Sequence, residues 1–402
     1  MARLSTLPVE LIREICQHMR DGDDQVNSNR DWVGEQSALA DLCRTSKAFD
    51  QIARPLLYTR IQVTVRRFEL MSLIRTLISR SDLSRSVRHL QLKLDGVYSS
   101  RGRLGNIDAA NFTEAIRKWW PEGIDHPGLY HDLCQQRTLF DMLYIHVPNM
   151  ETMWICPDIK AISPLLSTSV MSLSLRNCFS FEGLMLPHLN VRDLSLYGCT
   201  VEYDEMYFLV KACRSLRKFA YTTVDGMAVS PGQCIMALRQ HASTLVDLYL
   251  VVRGPGPLHI EFDGLSYNSF RSFTSLKTLS IHPSDFIRLR WGFEQTDTED
   301  AIEDTLPKSL EAFKVIEWST TMKRGLLGLG EAATRGDLPN LKLLEIQCHG
   351  LNKKALANHV DWIKKDLQDF NGSSIAFPLQ ISAYAGDELN PSERSLLQVW
   401  NV

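Results

Sequence analysis

Gly328-Leu329-Gly330-Glu331-Ala332-Ala333 has the G-x-G-x-x-A spacing of a loop that cradles a dinucleotide pyrophosphate. That chemistry needs the glycines directly after a strand, so that a helix N-terminus meets the anion. Here Phe313 to Trp318 reads as the strand, and several residues part it from Gly328. The segment therefore reads as a turn or helix entry, with no cofactor. His126, His131 and Cys134, with Cys156, contain the atoms of a zinc site. Structural zinc sites pair short Cys or His knuckles. Only the two histidines are so spaced, and Pro127-Gly128 between them signals a turn, so a solvent-facing loop is expected rather than a metal site. No G-x-S-x-G elbow, P-loop or H-E-x-x-H is present. The expectation is a chain with no catalytic, cofactor or metal residues, not an enzyme.

Composition agrees with a binding role. Of 402 residues, 44 % are hydrophobic and 23 % charged, with a formal net charge of −3. A nucleic-acid binder usually carries a basic excess, so no nucleic-acid partner is expected. No run approaches the roughly 20 apolar residues that span a bilayer, and the N-terminus lacks the apolar core of a secretory signal. The nine cysteines include no CxxC pair, as expected of reduced, buried thiols. Cytoplasm or nucleus is the expected location, without a membrane partner.

Elements that could position a binding surface come from a recurring phrase: apolar, two variable residues, apolar, one variable residue, apolar. It begins at Val87, Met150, Val170, Val191, Leu216, Leu245, Leu276, Leu310 and Leu341. Its last two apolar residues are two apart, so on a strand they share one face. Helix-like segments such as 205–213 and 233–241 lie between phrases. A strand tied to a helix by short turns cannot bury its own apolar face, so neighbours must stack. From Met150 onward successive phrases are 20 to 34 residues apart. The same pattern also suits an ordinary α/β domain with several buried strands.

Over roughly 85–350 the phrase resembles the leucine-rich repeat family, and Asn177-Cys178 and Cys199 match the residues that satisfy the turn after the strand in that family. The resemblance implies an irregular solenoid, a horseshoe whose inner sheet face shows Trp154, Ser174, Ser195, Ala220, Tyr249, Ser280, Lys314 and Glu345. Aromatic and arginine side chains are common interface hot spots. Trp154, Arg176, Tyr197, Tyr249, Arg253 and His282 are therefore the candidate target-binding residues.

The first 60 residues differ in kind. Leu11, Ile12, Ile15 and Met19 form a stripe at helical spacing behind Pro8 and Glu10. A polar stretch, 20–36, reads as a loop; a second helix is expected from Ser37, and a third from Ser46, an N-cap type, up to Pro55. Leu4-x-x-Leu7-Pro8-x-Glu10-Leu11-Ile12-x-x-Ile15, then Leu42-Cys43-Arg44 through Phe49 and Pro55-Leu56-Leu57-Tyr58, resembles an F-box, the fungal kind most closely. The resemblance implies that Leu7, Pro8, Leu11, Ile15, Leu42 and Phe49 face a Skp-family adaptor or the module's core. Through that adaptor it implies a cullin, and hence the substrate-recognition subunit of an SCF-type cullin-RING ubiquitin ligase with a protein target. The alternative is a repeat scaffold whose N-terminal helices only cap the array.

The expected organisation is thus α/β: a three-helix F-box-like module over 1–60, a repeat array over 61–350 with an insertion near 95–137, and a capping region over 351–402.

Overall fold

The structure, a computed structural model, describes residues 8–21, 32–64, 67–93, 143, 146–155, 169–176, 178, 188–223, 229–252, 270–283, 305–317, 323–349, 358, 361–363, 379–385 and 395–401. Helices α1 (Val9–Asp21), α2 (Trp32–Thr45) and α3 (Lys47–Leu57) lead into β1 (Arg60–Thr64), α4 (Arg67–Ser79), α5 (Ser81–Ser84) and β2 (His89–Lys93). Then come β3 (Thr152–Ile155), β4 (Ser172–Arg176), β5 (Asp193–Tyr197), α6 (Tyr203–Ala212) and β6 (Lys218–Thr223). After α7 (Pro231–Leu238) follow β7 (Asp247–Val252), β8 (Thr278–Ile281) and β9 (Ala312–Ile316). The chain continues through α8 (Lys323–Arg335), β10 (Leu343–His349), β11 (Leu379–Ala385) and β12 (Ser395–Asn401).

The twelve strands form one sheet in chain order. Neighbours from β1 to β3 and from β5 to β11 are parallel, and β12 closes the order antiparallel to β11.

This architecture corrects the expected one. The chain is an α/β protein built on a single, almost wholly parallel sheet with short interleaved helices, not a three-helix F-box-like module followed by a leucine-rich repeat horseshoe. A free-standing N-terminal F-box is not evident. The physical reason is the size of the helical core: among the described residues Ile12, Cys16, Leu39, Phe49 and Ala53 form its buried cluster, a core too small to sustain a module alone. The helices are tied to the sheet instead. After α3 the turn at Tyr58 and Thr59 runs directly into β1, and Gln36 of α2 donates a side-chain hydrogen bond to the Arg60 carbonyl.

The chain divides into two compact units. The first comprises Met1–Gln25, Arg30–Leu173 and Glu182–Asn190; the second comprises Val26–Asn29, Ser174–Phe181 and Val191–Val402. In the first, Ile74, Leu77 and Leu83 of α4 and α5 are buried together with Ile61, Val63, Leu90, Leu92 and Met153 of the strands. In the second, register places Leu194, Phe219, Leu248, Leu279, Phe313 and Leu344 in one row, and Leu196, Tyr221, Leu250, Ile281, Val315 and Ile346 in the next. All twelve are at most 1 % exposed. Each such side chain contributes about 1.5–3 kcal/mol by leaving water.

Every phrase lands the same way, its strand starting two residues after the first apolar position, as Val87 precedes β2 at His89 and Leu341 precedes β10 at Leu343. The hydrogen bonds explain the spacing. That first apolar residue donates its N–H three residues back: Met150 to Val147, Leu276 to Phe273, Leu310 to Pro307, Leu341 to Leu338. This closes a turn and drops the side chain into the core. The carbonyl just before a strand then accepts two N–H groups from the following rung: Val246 from Lys277 and Thr278, Lys277 from Glu311 and Ala312, Glu311 from Lys342 and Leu343.

A second ladder runs beside it, from the polar residue ahead of the first apolar position. Asn149 donates to the Arg85 carbonyl, Thr244 to Leu216, Ser275 to Ser243, Ser309 to Leu276 and Asn340 to Lys308. Backbone carbonyls that a tight turn strands are satisfied by the neighbouring rung.

Helix ends follow local chemistry. Ser46 Oγ accepts from Phe49 N at 3.2 Å and caps α3. Pro55 sits inside α3, two residues from its end, and the helix continues to Leu57 rather than stopping at the proline. Ser230 and Gln233 exchange hydrogen bonds in a capping box, with Pro231 at the first position of α7.

Candidate protein-interaction surfaces

The sheet face opposite the core rows carries one continuous row of the second unit. Register aligns Ser195, Ala220, Tyr249, Ser280, Lys314, Glu345 and Gln380 on successive strands. At about 4.8 Å per strand the row from Ser195 to Glu345 is about 24 Å long, enough to meet a folded partner or an extended segment. The six residues to Glu345 are among those expected on an inner face. Within the row Lys314 Nζ lies 2.9 Å from Glu345 Oε2, and the Glu345 side chain keeps only 5 % of its exposure. Two residues earlier, on the same face, Asp193, Lys218 and Asp247 alternate in sign along the rungs, with Lys218 Nζ 3.9 Å from Asp247 Oδ2. Burial holds the Asp193 carboxyl above its ordinary range, the Lys218 charge opposing and the Asp247 charge adding.

Two of the expected target-binding residues meet. The Arg176 guanidinium at the end of β4 stands 5.8 Å from the Tyr197 ring centroid at the end of β5, a cation–π arrangement that fixes both side chains. Tyr249 is half-buried in β7, on the long row. His282 directly follows β8; its Nε2 is 3.8 Å from Glu317 Oε2, and its N–H donates to the Leu250 carbonyl. Trp154 occupies β3 opposite Gln91, in the first unit. Arg253 lies outside the described residues.

The strand exits were not foreseen in full. Gly198 and Glu317 follow β5 and β9 at equivalent positions, and both take positive φ, 62° and 64°. Glycine adopts that conformation freely, whereas for a residue with a Cβ it costs about 1–2 kcal/mol. The Glu317 N–H donates to the Gln347 carbonyl, which holds the turn. Nothing in the sequence around Glu317 marks it as a left-handed residue. Cys178 and Cys199 act as expected after β4 and β5: the Cys178 thiol donates to the Arg176 carbonyl, and the Cys199 thiol to the Leu175 and Tyr197 carbonyls. Asn177 lies outside the described residues.

The N-terminal candidates separate into two kinds. Ile12 and Cys16 of α1 point into the helical core, while Leu11 and Ile15 stand 45 % and 38 % exposed on another stripe of the same helix, with Val9 beside them at 48 %. Pro8 is exposed. Phe49 is a core residue at 4 % exposure, and Leu42 packs half-buried against that core. Leu7 lies outside the described residues. Sequence reasoning left adaptor-facing and core roles open for this set. The structure assigns Phe49 and Leu42 to packing and leaves Pro8, Leu11 and Ile15 facing out.

The chemical candidates resolve differently. Gly328 and Gly330 lie inside α8, which has already begun at Lys323. They therefore cannot form a loop that receives a phosphate at a helix N-terminus. His126, His131, Cys134 and Cys156 lie outside the described residues, and among the described residues no three His, Cys, Asp or Glu side chains gather as a metal site.

With this geometry in hand, comparison with known proteins adds no relative: no family model matches the chain, and no curated protein matches it.

Proposed function

We propose that this chain is a recruiting subunit that binds two proteins and joins them, in its most specific form the substrate receptor of an SCF-type cullin-RING ubiquitin ligase. The observation that carries this reading is the outward stripe of α1. Leu11 and Ile15 are among the residues that the F-box resemblance gives to a Skp-family adaptor or to the module's core, and both are exposed while their neighbours Ile12 and Cys16 are buried. Exposed leucine and isoleucine one helical turn apart cost solubility unless a partner covers them. A docked helix or groove would do so. The long row on the sheet, from Ser195 to Glu345, supplies a second surface for a protein target. Such a subunit acts by raising the local concentration of target near a ligase, and it carries out no chemistry itself.

A second reading has its own observation. The short turn from α3 to β1 and the Gln36 hydrogen bond to Arg60 make the helices a cover for the first strand. On that reading the chain is a protein-binding scaffold that recruits no ligase.

Co-purification of the full chain with a Skp-family adaptor and cullin separates the two. Leu11→Asp with Ile15→Asp is expected to abolish adaptor capture while leaving the far-UV circular dichroism unchanged. A wild-type chain that fails to bind the adaptor at micromolar concentration removes the ligase reading, and a double variant that unfolds favours the covering role.

A further inference from the structure

Helix α6 presents an aromatic surface that neither proposed binding surface uses. Phe208 is 60 % exposed. Tyr203 and Tyr207 flank it with ring centroids 6.0 Å apart, and Tyr207 meets Phe208 edge-on at 5.9 Å. The opposite side of the helix is anchored by Met206, Leu209 and Val210, each at most 1 % exposed. The outward stripe reads Asp204, Phe208, Lys211 at helical spacing of four and three, all three exposed. Glu202 extends the acidic end and Arg214 the basic end. Lys211 Nζ lies 5.5 Å from the Tyr207 ring centroid, which holds it along the aromatic surface.

This stripe is complementary to itself. A two-fold axis crossing the helix midway between Tyr207 and Phe208 lays two copies of α6 antiparallel. It sets Asp204 opposite Lys211 of the second copy, Lys211 opposite Asp204, and Phe208 against Tyr207 in both directions. A closed two-fold interface requires a patch that matches itself under this operation. A foreign partner gives no reason for an acid and a base to stand equally far from the central aromatic pair. We infer that α6 is the contact of a homodimer, formed by antiparallel packing of two copies about Tyr207 and Phe208 with Asp204–Lys211 pairs on both sides.

The contact is small. Ten residues of helix span about 15 Å, and a pair of such faces falls short of the roughly 1,200 Å² total that stable complexes bury. The dimer is therefore weak and transient, with the aromatic centre supplying most of the affinity and the exposed charge pairs setting the register.

Sedimentation velocity of the full chain from about 5 to 200 μM tests this, with circular dichroism to show that each variant is folded. The wild type is expected to shift from monomer to dimer across the range, and Phe208→Asp to stay monomeric. Asp204→Lys and Lys211→Asp should each weaken association at least about tenfold, since each sets two like-charge pairs face to face. The D204K/K211D double variant should return to within about threefold of wild type. Both single changes oppose the dipole of α6 and the double variant does so twice, so recovery can come only from contact between copies. A wild type monomeric throughout overturns the inference. So does a dimer indifferent to Phe208→Asp, a double variant no better than the singles, or a stripe that binds a different protein while the chain alone stays monomeric.

Discussion

The Lys314–Glu345 pair offers a sharp test of how the polar sheet face is held. The two charges sit on adjacent strands in register, 2.9 Å apart, with side-chain exposures of 25 % and 5 %. At an effective dielectric constant near 20, their direct attraction is about 6 kcal/mol. Most of it is offset by taking the carboxylate out of water, so the pair itself adds little net stability. Removing only the cation is different: Lys314→Met leaves the Glu345 carboxylate buried without its ammonium. That loss is expected to destabilise by about 3 kcal/mol, the lower end for breaking a buried pair, because Lys314 keeps a quarter of its exposure to water. Replacing both, Lys314→Met with Glu345→Met, should recover to within about 1 kcal/mol of wild type. Urea unfolding followed by circular dichroism gives the three stabilities. Amide exchange in β9 and β10 locates the loss, since a ladder of rungs can open in parts. A Lys314→Met cost below about 1 kcal/mol, or a double variant less stable than the single, would refute the reasoning.

Two further outcomes follow from the rungs and the buried titratable groups. Ser309→Ala removes hydrogen bonds to the Leu276 and Phe273 carbonyls at 2.8 and 3.3 Å, and should cost about 1 kcal/mol in urea unfolding, whereas an unchanged midpoint would show the side-chain ladder to be incidental. Stability should also fall at both ends of the pH range. Burial pushes the Cys213 and Cys348 thiols up to about 12, the Glu317 charge adding at Cys348. Between the ordinary 9.0 and that value the folded chain binds more protons than the unfolded one. Their stabilisation is therefore complete below pH 9 and is lost as pH rises toward 12, at about 1.4 kcal/mol per pH unit per thiol. His241 behaves in the opposite sense. Burial lowers its pKa from the ordinary 6.5, against the opposing effect of the Val210 carbonyl that accepts from its Nε2 at 3.0 Å. Its stabilisation is present above pH 6.5 and is lost on acidification. Unfolding midpoints at pH 5, 7.5 and 10.5 measure both limbs, and a Cys213→Ala, Cys348→Ala chain with the same alkaline slope as wild type would contradict the assignment.

How much of this was legible depends on whether a residue's role repeats. The phrase from Val87 to Leu341 recurs nine times, so its core positions, its strands and the row from Ser195 to Glu345 could be placed from residue types alone. β1 escaped although Tyr58-x-x-Ile61-x-Val63 fits the phrase, because the segment was absorbed into the helical resemblance. β12 escaped because it runs antiparallel, outside the repeating pattern. The side-chain ladder of Asn149, Ser275, Ser309 and Asn340 was visible as a polar residue before each phrase, most plainly in Pro148-Asn149 and Pro339-Asn340. Its meaning needed the carbonyls one rung away. Helix periodicity found the stripe of α1 but not its division, since Ile12 and Ile15 are equally apolar and only packing against Phe49 and Ala53 decides which is covered. Glu317 had no signal at all, its φ being set by the turn that Gln347 closes.

The charges of the described second unit argue for how a target would be recognised on the proposed receptor face. Lys314 opposes Glu345, Lys218 opposes Asp247, and Glu311 lies between Lys277 at 2.8 Å and Lys342 at 3.8 Å. Each acid is matched by a base on a neighbouring rung, so these groups project little net field, and long-range steering of a charged target is weak. What stays distinctive on that face is the half-buried Tyr249, the Arg176–Tyr197 stack and the short Ser195 and Ala220 between them. Rigid aromatic side chains separated by small residues form a relief of ridges and gaps, which selects by shape and by hydrogen bonds to tyrosine hydroxyls. The charge pairs then serve the sheet, holding adjacent strands in register beneath a surface whose selectivity is aromatic.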